Sequence, residues 1–252
     1  MKESFEKNNA PNRLEGKNAV FECLNAKRDI KKLYVLKGIK DERINQLINT
    51  LKRTGTIISF LERTELDAMS ETKSHQGIIA DVEDFRYCEV EDILDFAKSQ
   101  NEQAFIVMLD EIEDPHNFGA IIRSAECMGV HGIIIKNRNQ AMVTPTVASA
   151  SSGAVEYMKI ARVTNLSNTI EELKKQGMWF ACADMDGTKM YDVNLKGNIC
   201  IVVGNEGKGV SRLVKEKCDY VIKIPMKGRI DSLNVSVATG ILLSEVNRQR
   251  SL

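Results

Sequence analysis

Residues 224–240 read IPMKGRIDSLNVSVATG, and the fold turns on how this stretch is divided. An apolar run at 220–224 ends at Pro225, which has no N–H to give to a strand ladder. A polar loop with Gly228 follows, then Ser232-Leu233-Asn234, then a helix that carries the chain to its end. Val235, Ala238, Leu242 and Val246 keep helical spacing, so this helix packs one face against something. Ser232 and Asn234 stand where the loop meets the helix. Each has a side-chain oxygen able to accept from free first-turn N–H groups, and each is also placed to meet a ligand.

Two further segments have the same form. DPHNFGAIIRS (114–124) and VVGNEGKGVS (202–211) each lead from a strand into a helix through a polar loop containing glycine. Three such loops at strand ends of one open sheet converge on a crevice, the usual ligand position in an α/β fold.

The surrounding pattern agrees. Apolar runs predict strands at 104–109, 132–135, 156–160, 178–183, 199–203 and 220–224, alternating with helices at 118–128, 143–151, 165–176, 211–217 and 235–250. Continuous apolar runs alternating with helical periodicity predict a mostly parallel sheet covered on both faces. Ahead of it lies a smaller α/β unit: helix 19–24, strand 33–36, a helix carrying Ile44, Leu47, Ile48 and Leu51 on one face, strand 56–60, helix 64–69 and strand 77–82. The acidic stretch after it reads as a linker with one short helix on Val90, Ile93, Leu94 and Ala97. The division is therefore 12–84, a linker at 85–102, and 103–252, with the polar first residues frayed. Lys73-Ser74-His75-Gln76-Gly77 is either a solvated turn or a ligand contact.

The 252 residues are 43% apolar and 28% charged, an ordinary globular composition with enough chain for two cores. Lys+Arg and Asp+Glu are equal at 35, but unevenly placed. Residues 1–56 hold 13 basic against 7 acidic side chains, whereas 81–95 hold 7 acidic and only Arg86. A basic first unit suits a phosphate backbone and equally suits solvated helix faces. Six cysteines without a C-x-x-C pair read as small buried hydrophobes in a reducing compartment. The three histidines lie far from any ligand-spaced partner, so no metal is expected. No stretch approaches the ~20 apolar residues of a membrane span and no leader pattern is present; the expectation is a cytoplasmic protein.

Several chemistries are excluded. There is no G-x-S-x-G elbow and no Cys–His motif. The loop at 204–209 resembles a phosphate-binding loop only superficially, because Gly209 is followed by Val210-Ser211 rather than Lys and Ser/Thr. A G-x-G-x-x-G fingerprint is missing as well, against a Rossmann cofactor site. Gly204, Gly207 and Gly209 let backbone approach a flat ligand, or simply make a tight turn.

Taken in order, Asn117-x-Gly119-x-x-x-Arg123, Gly204-x-Glu206-x-x-Gly209 and Ile224-Pro225-Met226 followed by Ser232-Leu233-Asn234-Val235-Ser236-Val237-Ala238 resemble the three motifs of the SpoU/TrmH family of RNA ribose 2'-O-methyltransferases, in the SPOUT class. Gly16-Lys17-Asn18-Ala19-Val20 and His75-Gln76-Gly77 are similar to the edges of that family's ribosomal-protein-like RNA-binding domain. The layout is most similar to the bacterial enzymes that methylate a guanosine of 23S ribosomal RNA.

The resemblance implies a C-terminal domain tied in a deep trefoil knot, with S-adenosylmethionine in the knot and a homodimer whose active site borrows from both subunits. It places the cofactor on the backbone of Gly204, Ile224 and Leu233, with Glu206, Met226, Ser232 and Asn234 close by. The final helix, with Val235, Leu242 and Val246, would pack partly on the partner. Arg123 is the family's catalytic arginine by position. Arginine stays protonated to a pKa above about 12, which favours phosphate binding and alkoxide stabilisation over proton abstraction. Asn117 caps its helix, positions Arg123 or the ribose, or does both. Glu206 orients Arg123 or the substrate, or compensates nearby positive charge; Ser232 and Asn234 hold the loop or touch substrate.

The expected activity is methyl transfer to a ribose 2'-hydroxyl, foremost of a 23S rRNA guanosine. A transfer RNA or another rRNA nucleotide is the alternative within the class. A ribosome-assembly factor that kept the fold without catalysis, or a metabolic α/β enzyme acting on a small molecule, are the alternatives outside it; the last leaves the basic first unit unexplained.

Overall fold

The computed structural model describes residues 12–230 and 232–251, which leaves the expectation of a frayed start outside the described residues. The chain divides into two compact units, one ending at Phe85 and one beginning at Arg86.

The first unit runs β1 (Asn12–Glu15), α1 (Lys17–Asn25), β2 (Ile30–Leu36), α2 (Glu42–Arg53), β3 (Ile57–Leu61), α3 (Arg63–Met69) and β4 (Ile78–Val82). Its sheet has the order β1-β4-β2-β3, with β4 antiparallel to both neighbours and β2 parallel to β3. In α2 the stripe Ile44, Leu47, Ile48 and Leu51 is buried, and Asp41 caps the helix by accepting from Ile44 N at 3.1 Å. Glu15 is 1% exposed at the end of β1. Its carboxylate accepts from Ser70 Oγ and Glu71 N, both at 2.6 Å, and from the Thr72 amide and hydroxyl, which closes the turn after α3.

The second unit holds α4 (Val90–Ser99), β5 (Phe105–Asp110), α5 (Pro115–Cys127), β6 (Gly132–Lys136), α6 (Pro145–Ala150), β7 (Ile160–Val163), α7 (Leu166–Lys174), β8 (Trp179–Lys189), β9 (Ile199–Gly204), α8 (Arg212–Lys217), β10 (Tyr220–Lys223) and α9 (Val235–Arg250). All six strands are parallel, in the order β10-β8-β9-β5-β6-β7. From β5 the chain builds outward through β6 and β7, then crosses to the other side for β8. The order therefore switches between β5 and β9.

Alternation along β5 serves both faces. Ile106 and Met108 join one core with Ile93, Leu94 and Ala97 of α4 and Leu166, Ile170 and Leu173 of α7. The intervening Phe105, Val107 and Leu109 are equally buried, on the side that α5 and α9 cover. The stretch read as a linker is thus part of the second unit, because burying Ile93 alone is worth about 2 kcal/mol. A second difference lies at 156–160. Gly153, left-handed at φ 87°, turns the chain into a 3-10 turn at Ala154–Glu156, and the strand begins only at Ile160.

Helix α9 is fastened at its far end. Gln249 bridges Leu195 N and Val193 O, and Arg250 Nη2 donates to the carbonyls of Gln103, Ala104 and Gly197 while its guanidinium lies 4.9 Å from the Phe105 ring centroid. Val235, Leu242 and Val246 are 7%, 0% and 0% exposed within this single chain. Those three residues are core of this chain, and the exposed apolar residue of α9 is Val237, with Ile241 half-buried one turn on.

Candidate active site

Three loops meet at the carboxyl ends of β5, β9 and β10. The first belongs to α5. Asp114 caps that helix, accepting from His116 N at 2.9 Å with Pro115 in the first turn, so Asn117 is not the cap that one sequence reading allowed. Asn117 is instead free to turn inward, 8% exposed, and its Nδ2 donates to Glu206 Oε1 at 2.8 Å.

The second loop follows β9. Gly204 is the last residue of the strand, and a Cβ there would lie 2.2 Å from the Gly209 backbone, so the loop folds back across a bare α-carbon. Asn205 organises the turn: its Oδ1 accepts from Gly207 N and Lys208 N, and its Nδ2 donates to Glu111 O at 3.1 Å.

The third loop ends at Asn234, which caps α9 through Oδ1, taking Ser236 N at 2.9 Å and Val237 N at 3.3 Å. That use of the oxygen fixes the amide's direction. Nδ2 then donates to Asn117 Oδ1 and to Glu206 Oε1, both at 2.9 Å. Glu206 Oε1 also faces Val235 N at 3.4 Å. Asn117, Glu206 and Asn234 therefore close a three-sided ring. Asn234 combines the two roles that its sequence position left open, cap and site residue.

Beside the ring is a cleft of about 300 Å³. Gly204, Glu206, Ile224, Met226, Ser232 and Leu233 line it, as expected from the motifs, and Val203, Ile222, Val235, Ala238 and Leu242 give it an apolar wall. Met226 and Leu233 are 41% and 36% exposed, at its open side. Asp184 lies on the opposite wall, 2.6 Å from Lys215 Nζ; burial would raise its carboxyl, but that contact and the Asp186 amide hold it below the usual aspartate value.

Arg123 stands apart. It follows Asn117 by six residues on α5, about 9 Å along the axis and well around it. Its side chain is exposed and donates to Ser152 Oγ at 3.1 Å. One chain does not bring it to the ring.

Sequence reasoning missed Asp110 and Lys136, which sit beneath the second loop, and Asn205, which shapes it from within. Only an acidic residue closing the apolar run FIVMLD hinted at the first of them. Among the described residues no group of three or more His, Cys, Asp or Glu side chains is placed to hold a metal, and no helix is long and apolar enough to cross a membrane.

The geometry is that of a ligand cleft at the carboxyl ends of β8, β9 and β10 with a polar ring at its edge. Residues 104–244 match the SpoU rRNA Methylase family, and residues 13–88 match the family described as RNA 2'-O ribose methyltransferase substrate binding. YacO of Bacillus subtilis, whose name places it among TrmH family tRNA/rRNA methyltransferases, is 45% identical over 238 residues, covering 94% of this chain and 95% of YacO. The fold is also that of the SpoU methyltransferase AviRb from Streptomyces viridochromogenes, solved with AdoMet (TM-score 0.78, 22% identity, 94% of this chain and 89% of AviRb). An AdoMet-bound rRNA methyltransferase from Sinorhizobium meliloti is similar in fold too (TM-score 0.77, 24% identity, 94% and 86%). The chain belongs to the SpoU/TrmH family. It is an RNA 2'-O-ribose methyltransferase, with a substrate-binding unit ahead of the methylase unit.

Proposed function

We propose that this enzyme transfers the methyl group of S-adenosylmethionine to the ribose 2'-hydroxyl of a guanosine in 23S ribosomal RNA, working as a homodimer in the cytoplasm. The observation that carries the reading is the Asn117–Glu206–Asn234 ring beside a cleft lined by Gly204, Ile224, Met226, Ser232 and Leu233.

The cleft fits S-adenosylmethionine in kind. It is apolar on one wall for a flat base, and it has backbone edges at Gly204, Ile224 and Leu233 for that base's hydrogen bonds, with Met226 and Ser232 alongside and Asn234 behind the lining, bonded to Glu206. When bound, the cofactor supplies a methyl already activated by a sulfonium. The protein's task is then to orient a weak nucleophile and to stabilise charge as its proton leaves. Glu206 keeps Asn117 and Asn234 in place through Oε1. Arg123 binds the adjoining phosphate and stabilises the forming alkoxide.

Its distance from the ring within one chain favours a shared site, in which Arg123 serves the ring of a second copy. The exposed Val237 of α9 supports a contact between copies along that helix. The fastening of α9 to Val193, Leu195 and Gly197 supports a knotted C-terminal segment. RNA as the partner rests on the substrate-binding unit, and rRNA rather than transfer RNA on the presence of that unit together with the whole-length similarity to the Sinorhizobium meliloti rRNA enzyme.

The test is transfer of labelled methyl from S-adenosylmethionine to unmodified 23S rRNA and, in parallel, to bulk transfer RNA, with the product located by resistance to alkaline cleavage. One resistant linkage after a 23S guanosine supports the proposal. Label in transfer RNA alone reassigns the substrate; cofactor binding without transfer to either RNA favours a non-catalytic assembly factor.

A further inference from the structure

Three neighbouring strands end in Lys136, Asp110 and Gly204, since β5 lies between β6 and β9 and Asp110 pairs with Gly204. Asp110 is 1% exposed. Its Oδ2 accepts from Ser211 N at 2.8 Å, whereas Oδ1 is buried with no hydrogen bond among the described residues and faces Lys136 Nζ at 3.6 Å. The same ammonium is 2.8 Å from Glu111 Oε1. Glu111 sits in the left-handed region at φ 64°, and its carbonyl receives Asn205 Nδ2.

The cleft loop is therefore pinned at its entry, Asn205, and at its exit, Ser211, by two consecutive residues, and a single lysine stands over both of their carboxylates. Two adjacent carboxylates, one of them buried, are tolerable only with a counter-charge. Desolvation works against the charge on Lys136, but the carboxylates outweigh it and raise its pKa, while the Lys136 hydrogen bond lowers that of Glu111.

We infer that Lys136 and Asp110 are positioning residues of the methyl transfer: by neutralising and orienting the Asp110-Glu111 pair, Lys136 holds loop 204–211 in the shape that presents Gly204 to the cofactor and Glu206 to the ring. Neither residue lines the cleft, so their effect passes through the loop. The inference rests on the reading of the cleft as the S-adenosylmethionine site.

The experiment is calorimetric binding of S-adenosylmethionine to the full chain, together with hydrogen exchange of the 205–211 amides without ligand. Lys136→Met weakens binding by about 3- to 30-fold, the usual range for a residue coupled to a site without touching it, and speeds exchange in the loop. Lys136→Arg restores both. Asp110→Asn in the Lys136→Met background recovers part of the loss, because the uncompensated charge is gone while an oxygen still receives Ser211 N. Unchanged binding in Lys136→Met, or a double variant no better than the single, overturns the inference. If Lys136→Met does not fold, wild-type exchange decides: a Ser211 amide as unprotected as a free peptide also overturns it. Leu233→Arg, which fills the cleft directly, separates the two readings. Normal binding by Leu233→Arg means that the cofactor sits elsewhere; lost binding there with an unaffected Lys136→Met means that only the positioning role fails.

Discussion

Asn234 Nδ2 donates to Asn117 Oδ1 at 2.9 Å, a contact between residues 117 positions apart in the chain. Its direction is set by the helix cap, because Asn234 Oδ1 is engaged by the first amides of α9. The cap and the site are consequently one structure, and substitutions can be chosen that separate them.

Asn234→Ala removes the cap acceptor and two donors to the ring, so stability falls by about 0.5–2 kcal/mol and activity falls with it. Asn234→Asp keeps the cap but faces Glu206 with a second carboxylate. Its stability stays closer to wild type while methyl transfer drops at least as far. Parallel urea unfolding and initial-rate measurements check the split; equal losses of both quantities in the two variants would count against it.

Arg123 is exposed and, among the described residues, bonded only to the Ser152 hydroxyl, so Arg123→Ala changes stability by no more than about 0.5 kcal/mol. If it stabilises charge in the transition state, the same variant loses about 100- to 1,000-fold in rate. Mixing it with an Asn117→Ala variant, each inactive alone, restores part of the activity when sites are shared between two copies and none when they are not.

Gly204→Ala sets a methyl against the Gly209 backbone, and backbone gives way less readily than a side-chain tip. The loop opens at a cost of about 1–3 kcal/mol. Cofactor affinity, read by calorimetry, falls before the rest of the unit is disturbed, whereas Gly207→Ala, with only Asn205 Oδ1 at 3.5 Å from the added carbon, is mild.

Acid weakens the first unit through Glu15. Burial alone would raise its carboxyl, but hydrogen bonds from Ser70, Thr72 and Glu71 outweigh it and hold the folded value below the ordinary 4.5. A depressed carboxyl stabilises the fold above its ordinary value and loses that contribution as pH falls through the folded one. The stability gap between wild type and Glu15→Gln is therefore full at pH 7 and shrinks below pH 4.5, as followed by far-ultraviolet circular dichroism in urea.

Thiol labelling gives an independent check on packing. Cys127 is exposed, Cys23, Cys182 and Cys200 are buried, and burial raises the Cys200 thiol far above its ordinary value. A maleimide modifies Cys127 first under native conditions and reaches Cys200 only on unfolding.

Much of this was legible in the residues. The second and third loop motifs place Gly204, Glu206, Ile224, Met226, Ser232 and Leu233 on one cleft, and the first brings Asn117 to its ring, because each follows a strand of the same parallel sheet. The short strand β1 was not legible: Asn12, Arg13 and Glu15 are polar, and the strand exists through its pairing with β4 rather than through its own pattern. The predicted strand at 156–160 failed because the left-handed turn at Gly153 reset the chain just before it. Nor could periodicity show that Asp114, three residues ahead of Asn117, would take the cap and release Asn117 to the ring. Asp110 and Lys136 were hidden for a different reason, since only the strand order makes them neighbours.

The fastening at Arg250 also says when the enzyme becomes one. Translation delivers the cleft wall at 224–242 only after every strand of the sheet, and the arginine that locks the helix behind it later still. A nascent chain still on the ribosome can hold a finished substrate-binding unit and most of a sheet, yet have no place for a methyl donor. Synthesis itself thus keeps the activity off until residues 224–250 have emerged and folded against the sheet.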